Sequence, residues 1–276
     1  MNKEEWMKKY KKLAEEMGVI KEAREIQILA TRFKGVEIGD FIPEKQSFSR
    51  EQISEIQERW NEQKIKAGKN LWNDPTASVV NFSIDVFGRL ELVLRKSDYK
   101  TYVGTREKRF INTDDIPIDR NCSLPLSIGA ITITEDSSIV LGIIEGKEFY
   151  RKKLHIVPSG YLDPEMDFIE TETRERRLSI EMLILKELYE ELRIETYTAK
   201  KYLALIHDPQ MQPTIALQLE IPFTKREMEQ IVEINFEHSK FIYIENTIDE
   251  VKKTFEEYEF TPHALSAILC HFLKEK

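Results

Sequence analysis

The segment that most constrains this chain runs from Ser179 to Leu192, Ser-Ile-Glu-Met-Leu-Ile-Leu-Lys-Glu-Leu-Tyr-Glu-Glu-Leu. Its spacing predicts a helix over about 178–193. The first turns, Ile180 to Leu185, are apolar nearly all round, the pattern of a helix held between layers rather than laid on a surface. At about 100° per residue, Glu187, Glu190 and Glu191 fall within one arc about 100° wide, with Leu185, Leu188 and Leu192 opposite. Three carboxylates on one arc repel one another unless a cation sits among them, and hard oxygen ligands suit Mg²⁺ or Mn²⁺. A Glu-x-x-Glu-Glu on a helix is also what a solvated face looks like. Two features favour the metal: the buried character of the preceding turns, and the loop Pro158-Ser159-Gly160, whose backbone amides can come close to a ligand.

Around this helix the chain alternates sheet and helix. Residues 3–17 read as an amphipathic helix with Trp6, Tyr10, Leu13 and Met17 on one stripe and Gly18 as its stop. Ser49 and Gln52 open a second helix with Ile53, Ile56 and Trp60 on its apolar face. Segments 78–86, 90–96 and 100–104 are β-rich. Longer apolar strands follow at 126–134 and 139–145, joined by a turn at Glu135–Ser138. Segment 153–164 reads as a short strand entering a Pro/Gly loop. Strands near 200–206, 214–221 and 240–245 come next. Helices open at Thr224, with Glu227 completing a capping box, at Thr247 with Glu250, and at Thr261-Pro262. Segment 19–48 is ambiguous between helix and strand. The fold class is α+β, and three regions are expected: a helical segment 1–48, a β-rich region 49–120 packed on the core, and a main domain 121–276.

Composition sets limits on partners. Against 41 Lys plus Arg stand 49 Asp plus Glu, a net charge of −8. That balance argues against a surface built for a nucleic-acid backbone or an anionic membrane, though a metal ion can bring phosphate to an acidic pocket. The two cysteines, Cys122 and Cys270, are far apart and form no CxxC, so neither a structural zinc nor a disulfide framework is expected. The amino terminus is too charged for a signal peptide and no apolar run is long enough to span a bilayer; a cytoplasmic location is expected.

Gly160 and the run Lys186-Glu187-Leu188-Tyr189-Glu190-Glu191-Leu192-Arg193-Ile194 resemble the box of the Nudix hydrolase superfamily. The resemblance implies an α/β/α sandwich with a mixed sheet, here with an amino-terminal helical and β-rich extension. It also implies metal ligation by Glu187, Glu190 and Glu191, with Glu187 orienting the attacking water, and a further ligand from a later loop, Glu233 or Glu237. The box departs from the family pattern. Lys186 stands in place of Arg, Arg193 in place of the helix-ending Gly, Ser159 in place of a Gly, and Leu178 in place of the first-half Glu. Twenty-five residues separate Gly160 from Lys186, about twelve more than the family spacing, and the insert around 167–177 is charged and reads as a surface loop or helix extension. Segments Trp60, 70–75, 97–105, 124–130 and 262–268 are similar to the subgroup that hydrolyses UDP-glucose. On that likeness Ser159, Gly160, Tyr99, Tyr102 and Thr105 would bind substrate, a small nucleotide conjugate cleaved to UMP and a sugar 1-phosphate.

Two other readings stand beside it. One is a nucleotide-sensing module on the same fold without turnover; the other is a Nudix hydrolase of ADP-ribose, a similar dinucleotide or capped RNA, with RNA disfavoured by the acidic balance. The five histidines show no ligand spacing and read as structural. Lys96, Lys100, Arg106, Lys108 and Arg109 form a modest basic patch, more simply a solvated face.

Overall fold

A computed structural model describes residues 3–31, 33–67, 71–106, 122–145, 150, 152–170, 175–208, 212–234 and 237–273. Lys108 and Arg109 lie outside them. The architecture is α+β. A mixed sheet of eight strands runs β1 (Gln27–Thr31), β11 (Ala199–His207), β12 (Pro213–Glu220), β5 (Ser127–Ile133), β6 (Ser138–Ile144) and β13 (His238–Glu245). Two short strands, β7 (Leu154–Ile156) and β8 (Ser159–Tyr161), attach to β6 and β5 respectively. The β12–β5 pair is parallel, while β5–β8 and β11–β12 are antiparallel.

Side-chain alternation along these strands divides the core into two layers. On one face, Ile131, Ile133, Ile139 and Leu141 meet α1 (Lys3–Glu16) and α8 (Pro262–Phe272), and Val251 of α7 (Ile248–Glu257) joins the same cluster. The stripe Trp6, Tyr10, Leu13 and Met17 is buried there, and Gly18 ends the helix at φ +76°. On the other face, Ile128, Ala130, Val140, Ile215, Leu217 and Leu219 pack against Ile180, Leu183, Ile184, Leu188 and Leu192 of α5 (Ile180–Leu192). A three-stranded sheet, β2 (Val36–Ile42), β4 (Leu90–Asp98) and β3 (Pro75–Ile84), supplies Val79, Leu90, Leu92 and Leu94 to this second layer. The helix of carboxylates is therefore enclosed on its apolar side, as its all-round hydrophobicity requires.

Several local expectations change. The first 48 residues are not helical throughout. After α1 and α2 (Ile20–Arg24), β1 joins the main sheet beside β11 and β2 joins the smaller one beside β4. Segment 100–104 is not a strand but lies within a short helix, α4 (Tyr99–Thr105), because Asp98 caps it by accepting the Thr101 N–H. In α3 (Arg50–Ala67) the Ser49–Gln52 capping box forms, and Ile56 and Trp60 are buried, but Ile53 points to solvent. The charged insert folds into a hairpin of β9 (Phe168–Glu170) and β10 (Arg176–Leu178) rather than a loop or a helix extension. The caps at Thr224 of α6 (Lys225–Ile231), Thr247 and Thr261 form where the sequence puts them. Among the described residues no helix is long and apolar enough to cross a membrane.

Candidate active site

The site is assembled where α5 passes under β8. Ser179 caps α5 by accepting the Met182 N–H. At the other end Arg193 adopts φ +59° and its N–H donates to the Tyr189 carbonyl, closing the helix in a left-handed cap. This is the position where the Nudix pattern has Gly; here an arginine takes the left-handed conformation, at a cost of about 1 kcal/mol. The opposite end of the helix is tied to β11 through Glu181, which accepts from both Tyr197 and Lys200.

Glu187 and Glu191 are buried on this helix, at 9% and 4% exposure, whereas Glu190 is exposed. The Glu187 carboxyl lies over the bare α-carbon of Gly160. A Cβ at that position would sit 2.1 Å from Oε1 and 2.2 Å from the carboxyl carbon. Glu191 is held from the same strand: the Ser159 N–H donates to its Oε1 at 3.3 Å and the Ser159 hydroxyl lies 3.5 Å from it. Ser159 and Gly160 thus each meet one of the two buried glutamates.

Burial pushes the Glu187 carboxyl up to about 7; the charges of Glu190 and Glu237 add to the rise and Lys186 opposes it. Glu237, half-buried just before β13, is therefore close enough for its charge to bear on Glu187, while Glu233 is exposed. Of the two candidate loop ligands, Glu237 is the one whose charge bears on Glu187.

Lys186 sits 3.0 Å from Asp167 and 3.3 Å from Glu187 Oε1. Asp167 is almost fully buried, and its carboxylate also accepts the Asp163 N–H at 2.8 Å. Burial raises the Asp167 pKa against the pull of the Asp163 N–H and Lys186. Burial alone would lower the Lys186 pKa, but Glu187 and Asp167 raise it on balance. The ammonium is thus fixed between two carboxylates. Asp167 escapes the sequence reading because counting the box back from Lys186 lands on Leu178. Counting forward from Gly160 reaches the Asp163-Pro-Glu-Met-Asp167 turn, and the insert follows it as the β9–β10 hairpin. Leu178 ends that hairpin, half-buried, and holds no carboxylate against Lys186.

The candidate substrate residues divide. Tyr99 and Tyr102 of α4 pack against Tyr161, the residue after Gly160, with ring centroids 5.9 and 6.4 Å away. Thr105 faces inward; its hydroxyl donates to the Thr101 carbonyl and accepts the Ser123 N–H. Four of the histidines, His155, His207, His238 and His263, are buried, and His271 bridges Gln218 and Asn246.

The donor chemistry fits a divalent ion: carboxylate oxygens, a glycine that leaves room above one of them, and a buried acid whose ionisation a cation would favour. Among the described residues, though, no three His, Cys, Asp or Glu side chains are already drawn together as a metal cage. Glu187, Glu190 and Glu191 share a helix face without forming a closed ligand set.

No protein-family model matches the chain, and a search of curated proteins finds no match. Among solved structures it is similar to DR0079 from Deinococcus radiodurans, with 12% identity over 73% of this chain and 100% of that one, TM-score 0.43. It is similar also to a NUDIX hydrolase from Nitrosomonas europaea, with 14% identity over 54% and 88%, TM-score 0.37. A UDP-X diphosphatase matches with 14% identity over 53% of this chain and 62% of that chain, TM-score 0.28.

Proposed function

We propose that this chain is a Nudix-type, metal-dependent hydrolase that cleaves the diphosphate of a nucleoside diphosphate conjugate. The finer reading is a UDP-sugar substrate split to UMP and a sugar 1-phosphate. The observation that carries it is the seat of Glu187 on Gly160, beside Glu191 on Ser159. A residue with any side chain at 160 would occupy the space taken by the carboxyl, so the loop and the helix are matched to each other around an acid.

The roles follow from placement. Glu187, Glu190 and Glu191 would hold Mg²⁺ or Mn²⁺, with Glu237 the candidate from the later loop. A bound divalent ion would neutralise diphosphate charge and make its water more acidic. Glu187, seated on Gly160, is placed to orient the attacking water. Lys186, tied to Asp167, keeps the Glu187 carboxyl in place. Tyr99 and Tyr102 bring the amino-terminal region against Tyr161, so residues 49–120 would help enclose the part of the substrate beyond the diphosphate.

A second reading, a nucleotide-binding module without turnover, is favoured by one observation: Lys186 already lies on Glu187. A turnover screen of nucleotide sugars and dinucleotides, with and without Mg²⁺, separates the two. Metal-dependent release of a nucleoside monophosphate is expected; binding without any turnover would establish the module instead.

A further inference from the structure

The two faces of β8 carry different chemistry. Gly160 faces α5 and the carboxylates. Tyr161, the next residue, pairs with Ser127 and points to the opposite face, because successive strand residues alternate. There it enters a polar cluster at the end of the main sheet where β11 stops and β12 and β5 begin. The Tyr161 hydroxyl donates to Gln212 Oε1 at 3.0 Å, and Gln212 Nε2 donates to the Ser127 hydroxyl at 2.7 Å. The Gln212 N–H donates to Asp208 Oδ1 at 2.9 Å, while the Tyr150 hydroxyl donates to Oδ2 at 3.0 Å. His263 Nε2 of α8 stands 3.4 Å from the same oxygen. Asp208 is only 3% exposed, but Tyr150, Tyr161 and Gln212 are half-buried, so the cluster reaches the surface.

We infer that this cluster is a recognition site for a hydroxyl-bearing ring, with Asp208, Gln212 and Tyr161 as its specificity-determining residues. Burying a carboxylate and an amide at the end of an otherwise apolar sheet is costly unless hydrogen bonds compensate. The partners that compensate here are mostly hydroxyl and N–H donors. An incoming alcohol can replace a tyrosine hydroxyl like for like, whereas a phosphate would be repelled by Asp208 and an apolar group displacing that hydroxyl would take a donor from the acid. The tyrosine rings beside the cluster supply a wall for the C–H face of such a ring. Tyr161 directly follows Gly160 on β8, a short strand paired with β5, so the cluster and the carboxylates flank the same strand from its two faces. The inference rests on the proposed diphosphatase reading for the identity of the ligand. Both the ribose and the conjugated hexose carry this chemistry.

The test is calorimetric titration of the full chain in EDTA, where no metal-dependent turnover occurs. The probes are UDP-glucose, its 2-deoxyglucose analogue and its 2′-deoxyuridine analogue. The variants are Tyr161→Phe and Asp208→Asn. Tyr161→Phe removes only a hydroxyl, so it decides the matter if Asp208→Asn fails to fold. Tyr161→Phe is expected to weaken UDP-glucose binding about five- to tenfold, the scale of one lost hydrogen bond. One deoxy probe should bind the wild type more weakly by a similar factor and lose little more in the variant. Loss with the 2-deoxyglucose probe places the hexose in the cluster; loss with the 2′-deoxyuridine probe places the ribose there. The proposal is overturned if Tyr161→Phe binds UDP-glucose within twofold of wild type, if both deoxy probes are weakened by the variant as much as UDP-glucose, or if the wild type binds none of the three. Failure of the hydrolase reading looks different: sugar nucleotides bind with this pattern, yet Mg²⁺ elicits no turnover.

Discussion

The Glu187 carboxylate occupies the space where any residue but glycine at 160 would place its Cβ. Gly160→Ala should therefore do more than crowd a loop. It should push Glu187 off its seat, lowering turnover at least tenfold and stability by about 1–3 kcal/mol, as overpacking in a filled site does. Steady-state kinetics beside thermal unfolding check this. Full activity in the alanine variant would mean that the contact is incidental.

Asp167 and Lys186 form an ion pair with one partner almost fully buried. Removing the acid alone, in Asp167→Ala, should cost about 3 kcal/mol, because it leaves the Lys186 ammonium with Glu187 as its one remaining partner in a partly desolvated place. Asp167→Ala combined with Lys186→Met should recover part of that loss: Glu187 then has no cation beside it, but burial already pushes its carboxyl up, so it can take up a proton. Chemical denaturation of the two single variants and the double variant measures the coupling. A double variant no more stable than Asp167→Ala would show that the pair is not the source of the cost.

Asp98 is predicted to make stability depend on pH. Burial would raise its pKa, but Lys45 and the Thr101 N–H and hydroxyl outweigh it and hold the carboxyl below the usual carboxylate range. A lowered folded-state pKa stabilises the protein above the unfolded value of about 3.9, and that contribution disappears as pH falls through the folded value. Asp98→Asn should accordingly lose about 0.5–1 kcal/mol at pH 7 and less at pH 2. Urea unfolding at the two values decides; a gap that does not change with pH contradicts the assignment.

The carboxylate helix and most of the layer order were legible because their signals are local. Ser179, Thr224, Thr247 and Thr261 announce helix starts through hydrogen bonds spanning three residues, and the stripe Trp6–Met17 follows the helical repeat. What escaped depends on contacts distant in sequence. β1 and β2 are short and become strands because β11 and β4 offer edges to pair with. Segment 99–105 has the β-branched and aromatic residues of a strand, but Asp98 turns it into a helix that packs on α3. At the candidate site, the shared arc of Glu187, Glu190 and Glu191 follows from helical spacing and Gly160 was singled out by the resemblance to the box, whereas Asp167 was hidden by the insert that follows it, and the Asp208 cluster by its dispersal over separate elements and loops.

The products provide a further prediction. The carboxylates of α5 share one helix face over a single turn of spacing, whereas a glycosidic mechanism needs two carboxyl groups flanking a sugar carbon, about 5–9 Å apart. Water should therefore attack phosphorus. Hydrolysis of UDP-glucose in ¹⁸O-water is expected to label UMP or glucose 1-phosphate on a phosphate and to leave the anomeric oxygen unlabelled. Free glucose and UDP as first products would contradict the mechanism.

The central claim is that the glutamates of α5 act on a diphosphate through a metal. Its most direct test is Mg²⁺-dependent hydrolysis by wild type, Glu190→Gln and Glu191→Gln, measured side by side with unfolding curves. Each glutamine keeps the side-chain shape and removes the charge. Turnover should fall by about 10²-fold or more in both, the scale seen when a charge-stabilising group in an active site is lost, while stability barely changes. Wild-type rates in correctly folded Glu190→Gln and Glu191→Gln would contradict the claim.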